Sequence, residues 1–143
     1  DFVPHKEGLR DLLEYLDAHE IPAVIATSTE KKRASRLIHV SGVEHLIANA
    51  IYGDMVEHGK PEPDIYIEAC RRLKVDPSKA IALEDAINGI RSAHGAGMNP
   101  VMIPDIVQDT SKVDDILFGK CESLLEFAEI LQGVTLDIEE TQK

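Results

Sequence analysis

Two adjacent carboxylates stand where a buried strand would pass into a helix. Glu84 and Asp85 follow a short apolar run at residues 80–83 and precede a helical pattern that begins at Ala86. Paired acids at the carboxyl tip of a strand commonly hold a hard divalent cation such as Mg²⁺, which prefers oxygen ligands. Asp85 taken alone fits a helix N-cap equally well, so both interpretations stay open at this point.

Two further polar groups, a hydroxyl and an ammonium, also lie close after predicted strands. Thr27 and Ser28 follow an apolar run at 21–26, and Lys60 lies in a polar loop at 53–64. A hydroxyl and an ammonium suit the oxygens of a phosphoryl group, while the acids would hold the cation and the lysine would offset charge during transfer. Each residue also has a simpler explanation, since Thr27 or Ser28 could cap a helix and Lys60 could be a solvated loop lysine.

The segments around these residues alternate between predicted helices and predicted strands. Some stretches repeat apolar residues at helical spacing, and others are short continuous apolar runs. We expect strands at 21–26, 49–52, 80–83 and 99–103, helices at 9–20, 30–40 (with Thr29 as N-cap), 65–73, from 86 onward and at 122–131, and an irregular or weakly helical stretch at 107–118. This order predicts an α/β protein with a Rossmann-like, three-layer α/β/α arrangement of a parallel sheet. Ligands bind beyond the carboxyl ends of such strands, where the polar residues would meet.

Charge and cysteine content exclude several classes of protein. The 143 residues carry a formal net charge of −11, which argues against nucleic acid or an anionic membrane surface as a partner. The sequence has two cysteines, and Cys70 lies among apolar neighbours, so we expect a reduced thiol rather than a disulfide to Cys121. No apolar run approaches ~18 residues and no signal peptide is evident. We therefore expect a cytoplasmic protein.

Three strings together resemble the motifs of a known enzyme family. They are Ala26-Thr27-Ser28, Gly59-Lys60-Pro61-Glu62-Pro63-Asp64-Ile65-Tyr66 and Leu83-Glu84-Asp85-Ala86-Ile87-Asn88-Gly89-Ile90. In order and spacing they are similar to the second, third and fourth motifs of the haloacid dehalogenase (HAD) superfamily. The closest similarity is to the subfamily of β-phosphoglucomutase and related sugar-phosphate and phosphoglycolate phosphatases. The resemblance covers nearly the whole chain, from Pro4 to about Leu131.

The resemblance implies a role for each matched residue. Thr27 would bind the transferring phosphoryl group, and Lys60 would bridge that group and the nucleophile. Asp85 would hold Mg²⁺, and Glu84 would bind the same ion directly or through water. Two more residues would lie close to the site: Ser28 and Asn88.

One family motif does not occur in these 143 residues. The sequence has no Asp-x-Asp-Gly string, which in the family supplies the nucleophilic aspartate on the first strand. The sequence opens without methionine, and residues 4–8 resemble the return from the family's helical cap into the core. We therefore expect a processed, truncated or excised piece that lacks the first strand and the cap. It would comprise the C-terminal portion of a HAD-like core at 1–132 and an acidic tail at 133–143.

These features predict Mg²⁺-dependent phosphoryl transfer on a small phosphorylated metabolite, such as a sugar phosphate, by the full-length protein. A phosphatase or phosphomutase would act through an aspartyl-phosphate. The isolated piece would be inactive, and it would pair with the absent N-terminal segment or self-associate. A non-catalytic HAD-like binding module is the alternative. A signalling receiver domain is rejected, because receivers place the acidic pair before the hydroxyl and the lysine.

Overall fold

The computed structural model describes residues 8–104 and 109–131, so residues 1–7 and the predicted tail at 133–143 lie outside it. The helices are α1 Leu9–Ala18, α2 Lys31–Ser41, α3 Asp64–Leu73, α4 Ile87–Gly95 and α5 at residues 124–131. The strands are β1 Val24–Thr27, β2 Asn49–Tyr52, β3 Ile81–Glu84, β4 Asn99–Met102 and β5 Gly119–Lys120. In those two ranges no helix has the length and apolar character needed to cross a membrane.

The strands pair in parallel but form two sheets. β1 pairs with β2, with Val24 opposite Asn49 and Thr27 opposite Tyr52. The other three strands form a sheet in the order β3-β4-β5, again in parallel. Within residues 8–104 and 109–131, no ladder joins β1 to β3. The predicted α/β class with parallel strands is confirmed, and the break in the sheet falls between β1 and β3.

Two helices hold the two sheets together from opposite faces. On one face, Ile65 of α3 packs in a single cluster with residues of β2 and with Ala82 of β3. Leu83 points the other way, because adjacent strand residues face opposite sides, and it packs against the cluster that contains Leu12 of α1. Leu13 of α1 packs with α2 and β2. The strands therefore lie between two layers of helices, as predicted.

Several predicted boundaries move for local reasons. β1 begins at Val24, later than predicted and two residues after Pro22, which has no N–H to give to a ladder. β3 extends to Glu84, so this acid is the last strand residue rather than the first residue of the following loop. α5 also begins later than predicted, at residue 124, because the Oγ of Ser123 accepts the N–H of Glu126 at 3.1 Å and caps the helix.

The start of α2 corrects a predicted cap. Glu30, not Thr29, holds the N-cap position, and no side chain at that position forms a capping hydrogen bond. Asp54, 23 residues away in the chain, accepts the N–H of Lys31 at 3.0 Å instead. The helix is thus capped from the loop after β2, which no local pattern could predict.

β5 is a strand that the sequence pattern does not indicate. The stretch at 107–118, predicted to be irregular or weakly helical, contains one 3₁₀ turn, Asp114–Ile116, while residues 105–108 lie outside the described ranges. Gly119 and Lys120 then pair with Val101 and Met102 of β4. Glycine and lysine have low strand propensity and two residues show no alternation, so only the neighbouring strand defines this one.

Candidate functional site

The carboxyl ends of β1 and β3 bring three predicted residues to one place. Thr27 is the last residue of β1, and Glu84 is the last residue of β3. The Lys60 side chain reaches between these strand ends, with Nζ 3.3 Å from the carbonyl oxygen of Ala26 and 2.5 Å from Glu84 Oε1. Lys60 therefore links the two sheets at their carboxyl edge.

Lys60 and Glu84 form a buried ion pair. Their side chains are 9% and 6% exposed, so Lys60 is not a solvated loop lysine. Removing two charges from water is costly, and close contacts must offset that cost. An ammonium has three N–H donors, and within the described chain two of them are used, on Glu84 and on the Ala26 carbonyl oxygen. The third N–H remains for another group at this edge.

Tyr66 completes the cluster, although no role was predicted for it from the sequence. It lies in the first turn of α3, and its hydroxyl donates to Glu84 Oε1, the oxygen that also accepts from Lys60. The Lys60 Nζ lies 5.3 Å from the centroid of the Tyr66 ring, within the range of a cation–π contact. Burial, together with the charges of Glu84 and Asp85, raises the pKa of the Tyr66 hydroxyl well above its ordinary value. At neutral pH this hydroxyl is therefore an uncharged donor.

Helical spacing is the signal in the sequence that marks Tyr66 as buried. Tyr66 precedes Ala69 and Cys70 by three and four residues, so all three share the apolar face of α3. A buried tyrosine hydroxyl usually finds a hydrogen-bond partner. The spacing indicates that a partner is needed, but not that Glu84, 18 residues away, supplies it.

The two carboxylates fit part of a magnesium site. Asp85 is partly buried, and it is not the helix cap, because Ala86 holds the N-cap position of α4. Among the residues described, no group of three or more His, Cys, Asp or Glu side chains is placed to hold a metal ion. Mg²⁺ usually takes only one or two protein carboxylates and completes its shell with water and substrate phosphate. Glu84 and Asp85 match that donor set, although Lys60 and Tyr66 already share Glu84 Oε1.

Gly89 leaves the space that the Glu84 carboxylate occupies. A Cβ atom on Gly89 would lie 2.0 Å from Glu84 Oε2 and 2.1 Å from its Cδ. No other residue fits at this position unless the carboxylate moves. The glycine of the Glu-Asp-x-x-x-Gly string is thus explained by the close approach of α4 to the end of β3. Asn88, its neighbour in the first turn of α4, is exposed.

The two hydroxyls predicted near the phosphoryl group differ in exposure. Thr27 is 1% exposed, and its Oγ1 accepts the N–H of Thr29 at 3.1 Å, which tightens the turn after β1. Its hydroxyl hydrogen remains available for donation. Ser28 is exposed to solvent. The loop after β2 packs directly on this turn, because a Cβ atom on Gly53 would lie 2.1 Å from the carbonyl oxygen of Ser28.

Comparison with curated proteins identifies relatives that cover most of the chain. (DL)-Glycerol-3-phosphatase 1, mitochondrial, of Arabidopsis thaliana is 36% identical over 139 residues, which cover 89% of this chain and 43% of that protein. The phosphorylated carbohydrates phosphatase of Thermotoga maritima is 31% identical over 101 residues, which cover 71% of this chain and 47% of that protein. The chain therefore spans less than half the length of these curated relatives.

Solved structures and a family model are also similar to this chain. The crystal structure of CbbY from Rhodobacter sphaeroides in complex with phosphate matches with a TM-score of 0.74 at 30% identity, covering 85% of this chain and 55% of that chain. A β-phosphoglucomutase from Clostridium difficile has a TM-score of 0.75 at 20% identity, over 93% of this chain and 57% of that chain, which shows the shared fold. The model of haloacid dehalogenase-like hydrolases matches residues 1–97. The chain belongs to the haloacid dehalogenase-like hydrolases, in their β-phosphoglucomutase- and phosphatase-like subfamily.

Proposed function

We propose that the full-length protein catalyses Mg²⁺-dependent phosphoryl transfer on a small phosphorylated metabolite, as a phosphatase or a phosphomutase. One observation carries the proposal: the Lys60–Glu84 pair is buried at the carboxyl edge of the sheets, where β1 ends at Thr27. A buried ammonium that keeps one N–H open at this edge is a preorganised partner for a phosphoryl oxygen. In a low-dielectric site such a group acts more strongly than it would in water.

The relatives support a phosphate ester of a sugar or polyol as the substrate. One is a (DL)-glycerol-3-phosphatase and another is a phosphorylated carbohydrates phosphatase. The chain as a whole is acidic, so an anionic substrate needs local positive charge in order to approach. Exposed basic residues at the start of α2, soon after the turn at Thr27, supply it: Lys31, Lys32, Arg33 and Arg36.

Each residue of the site has a separate part in the proposed reaction. An aspartate from outside residues 1–143 attacks phosphorus and releases the alcohol, and water or a second sugar hydroxyl then takes the phosphoryl group from the aspartate. Thr27 donates its hydroxyl hydrogen to a phosphoryl oxygen, and Lys60 directs its third N–H to the same group as charge develops. Asp85 and Glu84 would hold Mg²⁺, which would neutralise charge on the phosphoryl oxygens.

We further propose that a strand from the N-terminal side of the full-length protein inserts between β1 and β3. Each of these strands has one strand partner within the described ranges, and helices cover the strands on both faces. Val24, Ile25 and Ala26 of β1 are nevertheless only partly buried, whereas inner strands of parallel sheets are usually buried on both faces. An unpaired strand edge is a template for pairing, and pairing with a second copy of the chain is the competing outcome.

The proposed activity is tested by measuring phosphate release from a panel of phosphorylated metabolites, with and without Mg²⁺, using full-length protein. Asp85→Asn should lower Mg²⁺-dependent turnover by orders of magnitude. Asp76→Asn is the matched control, because Asp76 stabilises the turn before β3, where its Oδ1 accepts the N–H of Ser78 at 2.9 Å. This control should behave like the wild type.

Two outcomes would change the proposal. Near-normal turnover by Asp85→Asn would remove the metal from the reaction. Binding of phosphorylated metabolites by full-length wild-type protein without any turnover would favour the non-catalytic binding module.

A further inference from the structure

We propose that Tyr66 is a positioning residue that fixes the Lys60 ammonium and the Glu84 carboxylate relative to each other. This inference rests on the proposed phosphoryl transfer. Tyr66 contacts both members of the pair. Its hydroxyl donates to Glu84 Oε1, and the face of its ring lies 5.3 Å from the Lys60 Nζ. One buried side chain therefore restrains the anion by a hydrogen bond and the cation by a cation–π contact.

The hydrogen bonds converge on one oxygen and join four segments of the chain. Glu84 Oε1, at the end of β3, accepts from both Lys60 and Tyr66. Lys60 also donates to the carbonyl oxygen of Ala26 in β1. The side chain of Tyr66 adds α3 to this network, so strand ends of both sheets, a loop and a helix are connected through a single carboxylate. A change at Tyr66 would reach Lys60 through Glu84.

The placement of Lys60 depends on Glu84 because of how its donors are used. Two of the three ammonium N–H groups bond to Glu84 and to Ala26, so the orientation of the carboxylate sets the direction of the third. If the Glu84 carboxylate rotated about its side-chain bonds, the Lys60 ammonium would follow it. The third N–H would then no longer point to the carboxyl edge of the sheets. The Tyr66 hydroxyl opposes that rotation, because it binds the same oxygen from a rigid aromatic ring.

The uncharged state of the hydroxyl suits this role. A third cation or anion in the cluster would change the net charge that Lys60 and Glu84 present to a phosphoryl group. A neutral donor restrains the carboxylate and leaves that charge balance unchanged.

Apolar packing holds the ring in place independently of the hydroxyl. Tyr66 is 6% exposed and packs in the cluster that contains Ile51, Ile65, Ala82 and Ala93. Phenylalanine would keep these contacts and the cation–π contact, and it would remove only the hydrogen bond to Glu84. Tyr66→Phe is therefore a clean probe of the positioning role.

The experiment compares three variants of the full-length protein. Tyr66→Phe removes the hydroxyl in the cluster. Tyr15→Phe is the matched control, because it removes a tyrosine hydroxyl outside the Lys60–Glu84 cluster. That hydroxyl donates to the Leu131 carbonyl oxygen at 3.2 Å. Ile65→Val loosens the packing of α3 without removing a polar group, since Ile65 is 2% exposed in the same cluster.

Two measurements are made on each variant. In phosphate-release kinetics, Tyr66→Phe should lower kcat by about 10-fold and leave KM within about twofold, the pattern of a contact that matters only in the transition state. In nitrogen-15-labelled protein, hydrogen exchange of the Lys60 ammonium should be several-fold faster in Tyr66→Phe. Tyr15→Phe and Ile65→Val should match the wild type in both measurements, although Ile65→Val lowers the melting temperature.

The two measurements separate this inference from the proposed function. Unchanged Lys60 exchange in Tyr66→Phe overturns the positioning role, and so does the same exchange rate in Ile65→Val as in Tyr66→Phe. If wild-type protein releases no phosphate from any substrate, the proposed function fails, and the exchange measurement alone decides whether Tyr66 positions Lys60. Faster exchange with unchanged kcat in an active protein also overturns the inference as it bears on catalysis.

Discussion

Lys60 is a loop residue whose charged side chain is only 9% exposed. A buried ion pair is by itself weak evidence for stability, because the cost of desolvating both charges opposes their attraction. The pair with Glu84 is also held by Tyr66 and by the carbonyl oxygen of Ala26. At the residue scale, then, the geometry is more easily explained by a need to place charge than by a need for stability.

Replacing Lys60 by alanine should slow the reaction and destabilise the fold. The loss of one preorganised charge-stabilising group should lower kcat by about 10²–10³. The same change leaves Glu84 buried and unpaired, which should lower the free energy of unfolding by roughly 3–5 kcal/mol. Phosphate-release kinetics and urea denaturation measure the two effects.

The control for Lys60 is Lys79→Ala, an exposed lysine at the other end of β3, which should change neither quantity. Wild-type stability of Lys60→Ala would contradict the buried pair. Wild-type kcat in that variant would contradict a part for Lys60 in phosphoryl transfer.

The Tyr66 hydroxyl predicts a loss of stability at alkaline pH. Its pKa in the folded protein is raised above the ordinary value of 10, first by burial and then by Glu84 and Asp85. Above about pH 10 the unfolded chain releases this proton while the folded protein keeps it, so the unfolded state binds fewer protons. The contribution of Tyr66 to the free energy of unfolding is fully present below pH 10. Above pH 10 the free energy of unfolding should fall by up to about 1.4 kcal/mol per pH unit.

Denaturant titrations of metal-free protein from pH 8 to about pH 11 measure this slope. Tyr66→Phe should have a shallower alkaline slope than the wild type. Tyr15→Phe keeps Tyr66 and should retain the wild-type contribution from that residue. Equal slopes in the wild type and Tyr66→Phe would show that Tyr66 ionises at the same pH in the folded and unfolded chains.

At the scale of elements, the approach of α4 to β3 depends on a residue without a side chain. Gly89→Ala gains the helix propensity of alanine, worth up to about 1 kcal/mol. However, the new Cβ would lie 2.0 Å from Glu84 Oε2. We expect a net loss of roughly 1–3 kcal/mol in the free energy of unfolding, the usual cost of overpacking.

Gly95→Ala on the same helix is the matched control. A Cβ at Gly95 meets no atom closer than 3.4 Å, and that atom is Pro63 Cβ, so this variant should be as stable as the wild type or slightly more stable. Thermal denaturation measures both variants, and isothermal titration with Mg²⁺ should show weaker binding for Gly89→Ala alone. If both variants were equally stable and bound Mg²⁺ equally well, the contact between Gly89 and Glu84 would have no consequence.

Across residues 8–104 and 109–131, taken as one molecule, helices rather than a continuous ladder connect the two sheets. α3 packs on strands of both sheets, and α1 contributes to two clusters on the other face. Lys60 adds one polar connection at the carboxyl edge. A strand inserted between β1 and β3 would lie beneath both helices and bring its carboxyl end to the Lys60–Glu84 pair.

The proposed strand predicts how residues 1–143 behave as a separate polypeptide. Alone they should release no phosphate, because the proposed reaction takes its attacking aspartate from outside them. The N-terminal segment with its cap, added as a second polypeptide, should restore phosphate release. It should also slow amide hydrogen exchange in β1 and β3.

Amides of β4 provide the internal control, since β4 already has a partner on each side and should show little change. Phosphate release by residues 1–143 alone, in a preparation shown to be free of full-length protein, would contradict the prediction. Protection of β1 and β3 that rises with the concentration of the 143-residue chain alone would point to self-association instead.

The order of the elements, the parallel pairing of the strands and the polar residues at their carboxyl ends could all be predicted from the sequence. Apolar periodicity is a local property, so the runs before Thr27 and Glu84 are visible without any knowledge of the fold. The alternation of strands and helices then restricts the topology, because crossover connections bring the ends of parallel strands to one edge. The motif strings also identify the family, which the comparisons confirm.

The atoms that meet at that edge could not be predicted in this way, because they come from segments that are far apart in the sequence. The bonds from Lys60 and Tyr66 to Glu84 Oε1 join residues 24 and 18 positions apart, and the cap of α2 comes from Asp54 across a loop. β5 is a strand only because β4 lies beside it. These contacts depend on the packing of separate elements, whereas sequence periodicity reports only which face of each element is apolar.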